Sequence, residues 1–327
     1  MDTEKLLEIL RITVPVFALL CLGNILSRTG KMSDEHRAFL NWLVYYISLP
    51  ALIFLGMASQ PIDSILKFDF ILTTLLSMFA ILLIYTLLSL VMRLDKKIAI
   101  VMIFCTYWSN VAYMGFPLTG AAFGQRGFLL AAIVNAVSMP VLVSITFVII
   151  GLCSDRKRGI LVSIRRAVIN PIIPASIAGF LYSWAAGALQ IGGDGAPLPA
   201  IVKETLGMCE IILTNVGTMG LSLALIAVGG KIRFRSLGKN MLPMTLAVAG
   251  KMILLPLISL GITHVFFPES PRDAVGATVL LMAMPTAVTV AVIAAKFELN
   301  EEFASSVLTV SLLSSVIFIP AWLYVVL

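Results

Sequence analysis

One lysine, Lys251, lies inside a long apolar stretch of the sequence, ten residues after Met241. At ~1.5 Å per residue, a helix would carry it about 15 Å into a hydrocarbon layer that is ~30 Å thick. An ionisable group at that depth is costly and is by default functional. The sequence leaves two roles open for Lys251: binding of an anion, or satisfaction of backbone carbonyls inside the protein.

Two other apolar stretches contain a proline among polar residues. An interior proline removes a backbone hydrogen bond, and the residue before it disfavours helical angles. We predict that the two helices break near 115–117 and near 284–286, that the breaks cross, and that the polar side chains face the crossing. Two ordinary proline kinks are the alternative. The residues concerned are Asn110, Gly115, Pro117 and Thr119 in the first stretch, and Pro285, Thr286 and Thr289 in the second.

A helix that begins in the middle of the membrane presents the positive end of its dipole there. Two such ends with Lys251 would form a donor-rich site for an anion. A carboxylate is favoured over a phosphate, because one cation and no arginine fork is available. These stretches lack the paired carboxylates of a sodium or proton relay, so coupling to either ion remains open.

Signatures of enzymes and of metal sites are missing from the sequence. It contains no Gly-Lys-Ser/Thr phosphate loop, no His-Glu-x-x-His and no Gly-x-Ser-x-Gly. The cysteines, Cys21, Cys105, Cys153 and Cys209, are far apart and form no Cys-x-x-Cys pair. We therefore expect no catalytic activity, no cofactor and no metal.

The composition defines the elements that must position these residues. Of 327 residues, 60% are hydrophobic and 12% are charged, whereas a soluble protein has about 25% charged residues. The sequence predicts an all-α polytopic membrane protein with ten transmembrane helices. The apolar runs are at about 7–27, 38–59, 69–92, 98–123, 127–152, 168–190, 204–229, 241–267, 274–295 and 302–327.

Basic residues are unequally divided between the alternate connections of these ten spans. One side carries sixteen lysines and arginines and the other side six. Cytoplasmic loops are the basic ones, so this asymmetry predicts that both termini lie outside the cytoplasm. It also accounts for the net charge of +6 without a nucleic-acid partner.

The two halves of the sequence share features in the same order. Leu52–Gly56 in span two resembles Leu225–Gly229 in span seven, and both spans four and nine contain a mid-span proline. We predict two five-helix repeats, 1–152 and 168–327, joined by a basic cytoplasmic loop at 153–167. Because five is odd, the repeats would be inverted in the membrane, as in many secondary transporters.

The sequence also resembles the auxin efflux carrier family, which includes plant auxin exporters and bacterial permeases for malate and malonate. The resemblance covers essentially the whole chain. It is carried by the Asn110–Leu118 segment, Asn170-Pro171, Lys251 with Pro256, Pro285, Ala295-Lys296 and the Ser305–Pro320 run. The chain departs from the plant exporters at Thr286 and Ile172 and has only a short loop at 154–166. Auxin is therefore not the expected substrate.

This resemblance implies a fold like that of sodium/proton antiporters and bile-acid transporters, with helices four and nine crossed at their breaks. Spans one, two, six and seven would form a dimeric scaffold, and the others a moving transport domain. The implied function is elevator-like transport of a small organic anion across the cell membrane. A cation-coupled symporter of another solute and an anion channel are the alternatives. The expected substrate-binding residues are Asn110, Tyr113, Gly115, Pro117, Thr119, Asn170, Lys251, Pro285, Thr286 and Thr289.

Overall fold

The computed structural model describes residues 3–58, 69–153, 171–188, 199–231 and 240–327. Every regular element in these ranges is a helix, and a single β-bridge there, between Ser109 and Thr286, is isolated. The all-α prediction is confirmed for this part of the chain. The α-helices are α1 (Thr3–Arg28), α2 (Asp34–Leu43), α3 (Leu49–Ala58), α4 (Asp69–Val91), α5 (Lys96–Tyr107), α6 (Phe116–Cys153), α7 (Ile172–Ala188), α8 (Ala200–Gly229), α9 (Met241–Ala249), α10 (Leu255–Phe266), α11 (Arg272–Met282), α12 (Val288–Lys296) and α13 (Glu301–Val326).

Six continuous helical stretches within the described ranges are long and apolar enough to cross a membrane. They coincide with the first, second, third, seventh, eighth and tenth of the predicted spans. Predicted spans four and nine contain shorter helices ahead of their breaks, the 12-residue α5 and the 11-residue α11. At ~1.5 Å per residue, helices of this length reach only about halfway across the hydrocarbon layer. The full count of ten spans stays a prediction.

Three π-helical turns in the described residues widen otherwise helical segments, and each ends two residues before a proline. Proline has no N–H, and its ring clashes with the carbonyl four residues earlier in an α-helix. In all three cases that carbonyl belongs to a residue inside the π-turn, where the wider winding moves it away from the ring. Proline at these places therefore widens the helix without ending it. The turns are Val44–Ser48 before Pro50, Val111–Gly115 before Pro117, and Gly250–Leu254 before Pro256.

The predicted break near Gly115–Pro117 is wrong in position. The chain leaves the helix at Trp108–Asn110, where Asn110 has φ −79° and ψ 59° and the Val111 N–H donates to the Ser109 carbonyl at 2.9 Å. These values describe an inverse γ-turn. Helix resumes at Val111 and continues through Pro117, because the π-turn accommodates the proline.

The predicted break near 284–286 is confirmed. Helix α11 ends at Met282 and α12 begins at Val288. A further irregularity lies within α6, where Gly124 has φ 63°. A positive φ suits glycine, since it has no Cβ to clash.

The chain forms two compact units. Unit 1 comprises Met1–Ala18, Asp69–Ala167 and Lys231–Leu327, and unit 2 comprises Leu19–Phe68 and Val168–Gly230. Unit 2 contains predicted spans two, six and seven, which the family resemblance assigns to the scaffold, whereas α1 is divided between the units. Each unit draws on both sequence halves, 1–152 and 168–327. A symmetry relation between halves does not require each half to be compact, so the inverted repeat stays a prediction.

Glycines allow close contact between the helices of unit 2. A Cβ at Gly23 on α1 would overlap the Ile226 carbonyl of α8, and one at Gly229 on α8 would overlap the Leu20 carbonyl of α1. Helices in membranes associate through such small residues, because close backbone approach increases van der Waals contact. This reciprocal pair fixes α1 against α8 within unit 2.

Candidate functional site

The two helix breaks of unit 1 are joined by backbone hydrogen bonds. The Asn110 N–H donates to the Pro285 carbonyl at 2.9 Å, and the Ala287 N–H donates to the Trp108 carbonyl at 2.9 Å. Between these bonds, Ser109 lies opposite Thr286 in an antiparallel bridge. The two extended segments thus satisfy backbone groups that helix ends leave unpaired. We call these two segments, Trp108–Asn110 and Ala283–Ala287, the crossing.

Thr286 makes hydrogen bonds from the crossing to helices α5 and α13. Its hydroxyl donates to the Cys105 carbonyl of α5 at 2.8 Å, and its backbone N–H donates to the Ser311 hydroxyl of α13 at 3.2 Å. The side chain is fully buried. Both of these polar groups are therefore occupied by the protein, which assigns Thr286 a structural contact within the crossing.

Replacing Thr286 with valine is expected to lower the free energy of unfolding by about 1–2 kcal/mol, because the Cys105 carbonyl loses a buried donor. Valine keeps the shape of threonine, so the loss reports the hydrogen bond. Unfolding by SDS titration in mixed micelles measures the change. The exposed Thr289 on α12 provides the matched control, and Thr289→Val is expected to change stability by less than about 0.5 kcal/mol. Equal effects of both substitutions would contradict the assignment.

Lys251 lies in the π-turn between α9 and α10 and is fully buried. Its ammonium group donates to the Ser109 hydroxyl at the crossing. The ion pairs found within the described ranges join Arg37 to Asp34 and Arg126 to Asp273, and neither involves Lys251. The structure therefore brings a lysine to the break of α5 with a hydroxyl, and no described carboxylate, as its partner.

Asn110, the next residue of the crossing after Ser109, carries a second donor. Its side chain is 3% exposed, and its amide nitrogen has no hydrogen-bond partner among the residues that the structure describes. It occupies the N-cap position of the helix resuming at Val111, yet its side chain does not cap that helix. A buried donor without a partner is destabilising by about 1–3 kcal/mol, so it calls for an acceptor from outside the chain.

The other predicted site residues are distributed unevenly around the crossing. Pro285 is buried in it and accepts from Asn110, whereas Gly115 is buried one turn along the resumed helix, where a Cβ would lie 2.8 Å from the Leu281 side chain. Thr119 is buried and donates to the Gly115 carbonyl of its own helix at 2.7 Å.

Tyr113 and Pro117 are partly buried on the resumed helix. Thr289 is exposed on α12, one residue beyond the start of that helix, and its place at the substrate site stays a prediction. Asn170 lies outside the described residues.

Two polar residues of the site were missed in the sequence. Ser109 directly precedes Asn110, and a Ser-Asn pair ahead of the first predicted break was an available signal. Ser311 belongs to the serine-rich last span, where nothing in the local pattern separates it from its neighbours Ser314 and Ser315. Its contact with Thr286 joins residues 25 positions apart, which local patterns do not encode.

These features define the class of protein. The six long apolar helices, together with half-length helices that meet at a buried crossing, describe a polytopic membrane protein with broken helices. No group of three or more His, Cys, Asp or Glu residues that could hold a metal ion occurs in the ranges the structure describes. Broken helices of this kind form substrate sites in secondary transporters.

The family follows from comparison with known proteins. Residues 9–323 match the family described as "Membrane transport protein", and the chain belongs to this family, the auxin efflux carriers. The resemblance inferred from the sequence is therefore confirmed.

Two relatives are similar over almost their entire length. An "Uncharacterized transporter" of Methanothermobacter thermautotrophicus is 26% identical over 311 residues, covering 94% of this chain and 95% of that protein. A "Putative malonate transporter" of Rhizobium meliloti is 25% identical over 330 residues, covering 98% of this chain and 96% of that protein. The chain is a membrane transporter of the family these proteins represent.

Proposed function

We propose that this transporter is a secondary carrier that moves a small organic anion, a mono- or dicarboxylate such as malonate, across the cytoplasmic membrane. The observation that carries the proposal is the ammonium group of Lys251, fully buried beside the crossing with the Ser109 hydroxyl as its partner. Burial of a charged group removes its hydration, at a penalty of several kcal/mol when no countercharge is present. An anionic substrate supplies that countercharge.

The free donors around the crossing favour a carboxylate. An ammonium has three N–H groups, of which Ser109 accepts one, and the Asn110 amide nitrogen has no partner within the described ranges. The two oxygens of a carboxylate can accept from Lys251 and Asn110 at the same time. The helix that resumes at Val111 and helix α12 also begin at the crossing, which adds positive dipole ends.

The similarity to a relative named as a malonate transporter supports the same substrate class. Malonate carries two carboxylates, of which the proposed site neutralises one with Lys251. Monocarboxylates of similar size are therefore expected to compete with malonate.

We propose that transport proceeds by elevator-like alternating access, in which unit 1 moves and carries the substrate. Support comes from the division of the chain, since the whole crossing, Lys251 and Ser311 belong to unit 1. The proposal includes ten spans in two inverted repeats and a homodimer through the scaffold helices. The proposal does not specify whether a proton or a sodium ion is transported together with the anion.

Titration of purified protein with malonate tests the substrate assignment. The proposal predicts saturable binding of malonate, competition by other small mono- and dicarboxylates, and no competition by neutral amides of the same shape. Titrations at several sodium concentrations and pH values report whether either ion binds with the substrate. Equal binding of malonate and its diamide would refute recognition of the carboxylate.

The proposed orientation places both termini outside the cytoplasm and the basic loop 154–166 inside. In a variant that lacks the native cysteines, a single cysteine introduced at 154–166 is expected to be protected from an impermeant thiol reagent in intact cells. A cysteine introduced at 192–199 is expected to be labelled, since that connection would lie outside. Both segments, apart from Pro199, are outside the described residues. The reverse labelling pattern would overturn the orientation.

A further inference from the structure

We propose that Trp322 and Tyr85 are positioning residues that hold the ammonium group of Lys251 at the crossing, Trp322 by bonding to the π-turn that carries the lysine and Tyr85 by bonding to the end of α9 just before that turn. This inference rests on the proposed function, because it concerns how the anion-binding lysine is oriented. Neither residue touches the crossing through its polar group. Both act on backbone carbonyls that flank Lys251 in the sequence.

Pro256 creates the need for the first contact. In an α-helix, the N–H of residue 256 would donate to the Met252 carbonyl, but proline has no N–H. The indole N–H of Trp322 donates to that carbonyl instead, at 2.8 Å. The Met252 carbonyl belongs to the residue next to Lys251, so the bond from α13 fixes the π-turn immediately beside the lysine.

The second contact is on the N-terminal side of Lys251, in helix α9. The Tyr85 hydroxyl of α4 donates to the Leu246 carbonyl, one turn before Lys251. Gly250 makes this approach possible, because a Cβ at that position would overlap the Tyr85 ring. Tyr85 is 3% exposed, so its hydroxyl has little access to water as an alternative partner.

Trp322 also connects the π-turn to the second broken helix. Its ring packs in a buried cluster with Val279 and Ala283, and Ala283 directly follows the end of α11. One side chain therefore contacts both the backbone beside Lys251 and the helix that leads into the crossing. This arrangement sets the distance between the lysine and the crossing, which a flexible lysine side chain alone would not fix.

A double-mutant cycle between Trp322→Phe and Lys251→Gln tests the proposal. Phenylalanine retains an aromatic ring and removes the N–H. In the presence of Lys251, Trp322→Phe is expected to weaken malonate binding about tenfold, through loss of one buried hydrogen bond. In the Lys251→Gln background it is expected to have no further effect on the dissociation constant, because its influence passes through the lysine. Tyr85→Phe is expected to behave in the same way.

Matched controls are the exposed residues Trp184 and Tyr182 of unit 2. Trp184→Phe and Tyr182→Phe are expected to leave malonate binding unchanged in both backgrounds. An unchanged dissociation constant in folded Trp322→Phe would overturn the proposal. So would an equal weakening with and without Lys251, since that result indicates a general structural effect.

The same cycle measured by melting temperature needs no ligand. The shifts caused by Trp322→Phe and Lys251→Gln are expected to be non-additive if the two residues are coupled, and additive shifts would contradict the coupling. If the wild-type protein fails to bind malonate, the proposed function fails. The melting cycle then still decides whether Trp322 positions Lys251.

Discussion

Replacing Lys251 with glutamine is expected to weaken malonate binding about ten- to hundredfold, which corresponds to about 1.5–3 kcal/mol for a charge-assisted interaction. Glutamine keeps most of the length and polarity of the side chain but removes the countercharge of the substrate. Lys251→Arg is expected to retain part of the affinity, because it keeps the charge while its planar guanidinium differs in shape and hydration. Calorimetric titration of the purified variants measures both effects.

Thermal melting of the same variants separates the two roles that the sequence left open for Lys251. If the lysine only satisfied groups of the protein, Lys251→Gln would lower the melting temperature and leave the affinity unchanged. If it binds the anion, Lys251→Met is expected to raise the melting temperature of the empty protein, because removal of a buried unpaired charge is stabilising. The exposed Lys97 is the matched control, and Lys97→Gln is expected to change neither quantity.

Replacing Asn110 with alanine is expected to abolish malonate transport while the protein still inserts and folds. The Asn110 amide nitrogen has no partner in the described part of the chain, so its removal breaks no hydrogen bond there. The Asn110 backbone N–H donates to the Pro285 carbonyl, and the Asn110 carbonyl accepts from the Gly115 N–H. Neither bond depends on the Asn110 side chain. What is lost is the donor to the substrate carboxylate.

Uptake assays and size-exclusion profiles of Asn110→Ala measure these two consequences. Asn240 provides a matched control, since it also precedes a helix without capping it through its side chain. Asn240→Ala is expected to transport at the wild-type rate. Wild-type uptake by Asn110→Ala would exclude Asn110 from the substrate site, and an aggregated variant would contradict the view that its side chain has no structural partner.

The sequence identified candidate site residues where a single residue was unusual for its apolar surroundings. A lysine in an apolar run and prolines amid polar residues identified Lys251, Pro117 and Pro285 as unusual, and the structure places Lys251 and Pro285 at or beside the crossing. The effect of Pro117 was not predictable from its own neighbourhood. Whether a proline breaks a helix or widens it into a π-turn depends on whether neighbouring helices can hydrogen-bond to the carbonyls that the proline displaces.

Contacts between distant parts of the chain were beyond local patterns. Ser109 meets a lysine 142 positions away, and Thr286 meets the Cys105 carbonyl 181 positions away.

Counterflow in proteoliposomes tests the central claim most directly. Vesicles that contain the purified protein are loaded with unlabelled malonate and diluted into a small amount of labelled malonate. A carrier with a site at the crossing is expected to produce a transient accumulation of label above equilibrium, which saturates with malonate concentration and is lost in Asn110→Ala. Entry of label without overshoot or saturation would indicate a channel, and undiminished counterflow in both Asn110→Ala and Lys251→Gln would contradict the crossing as the substrate site.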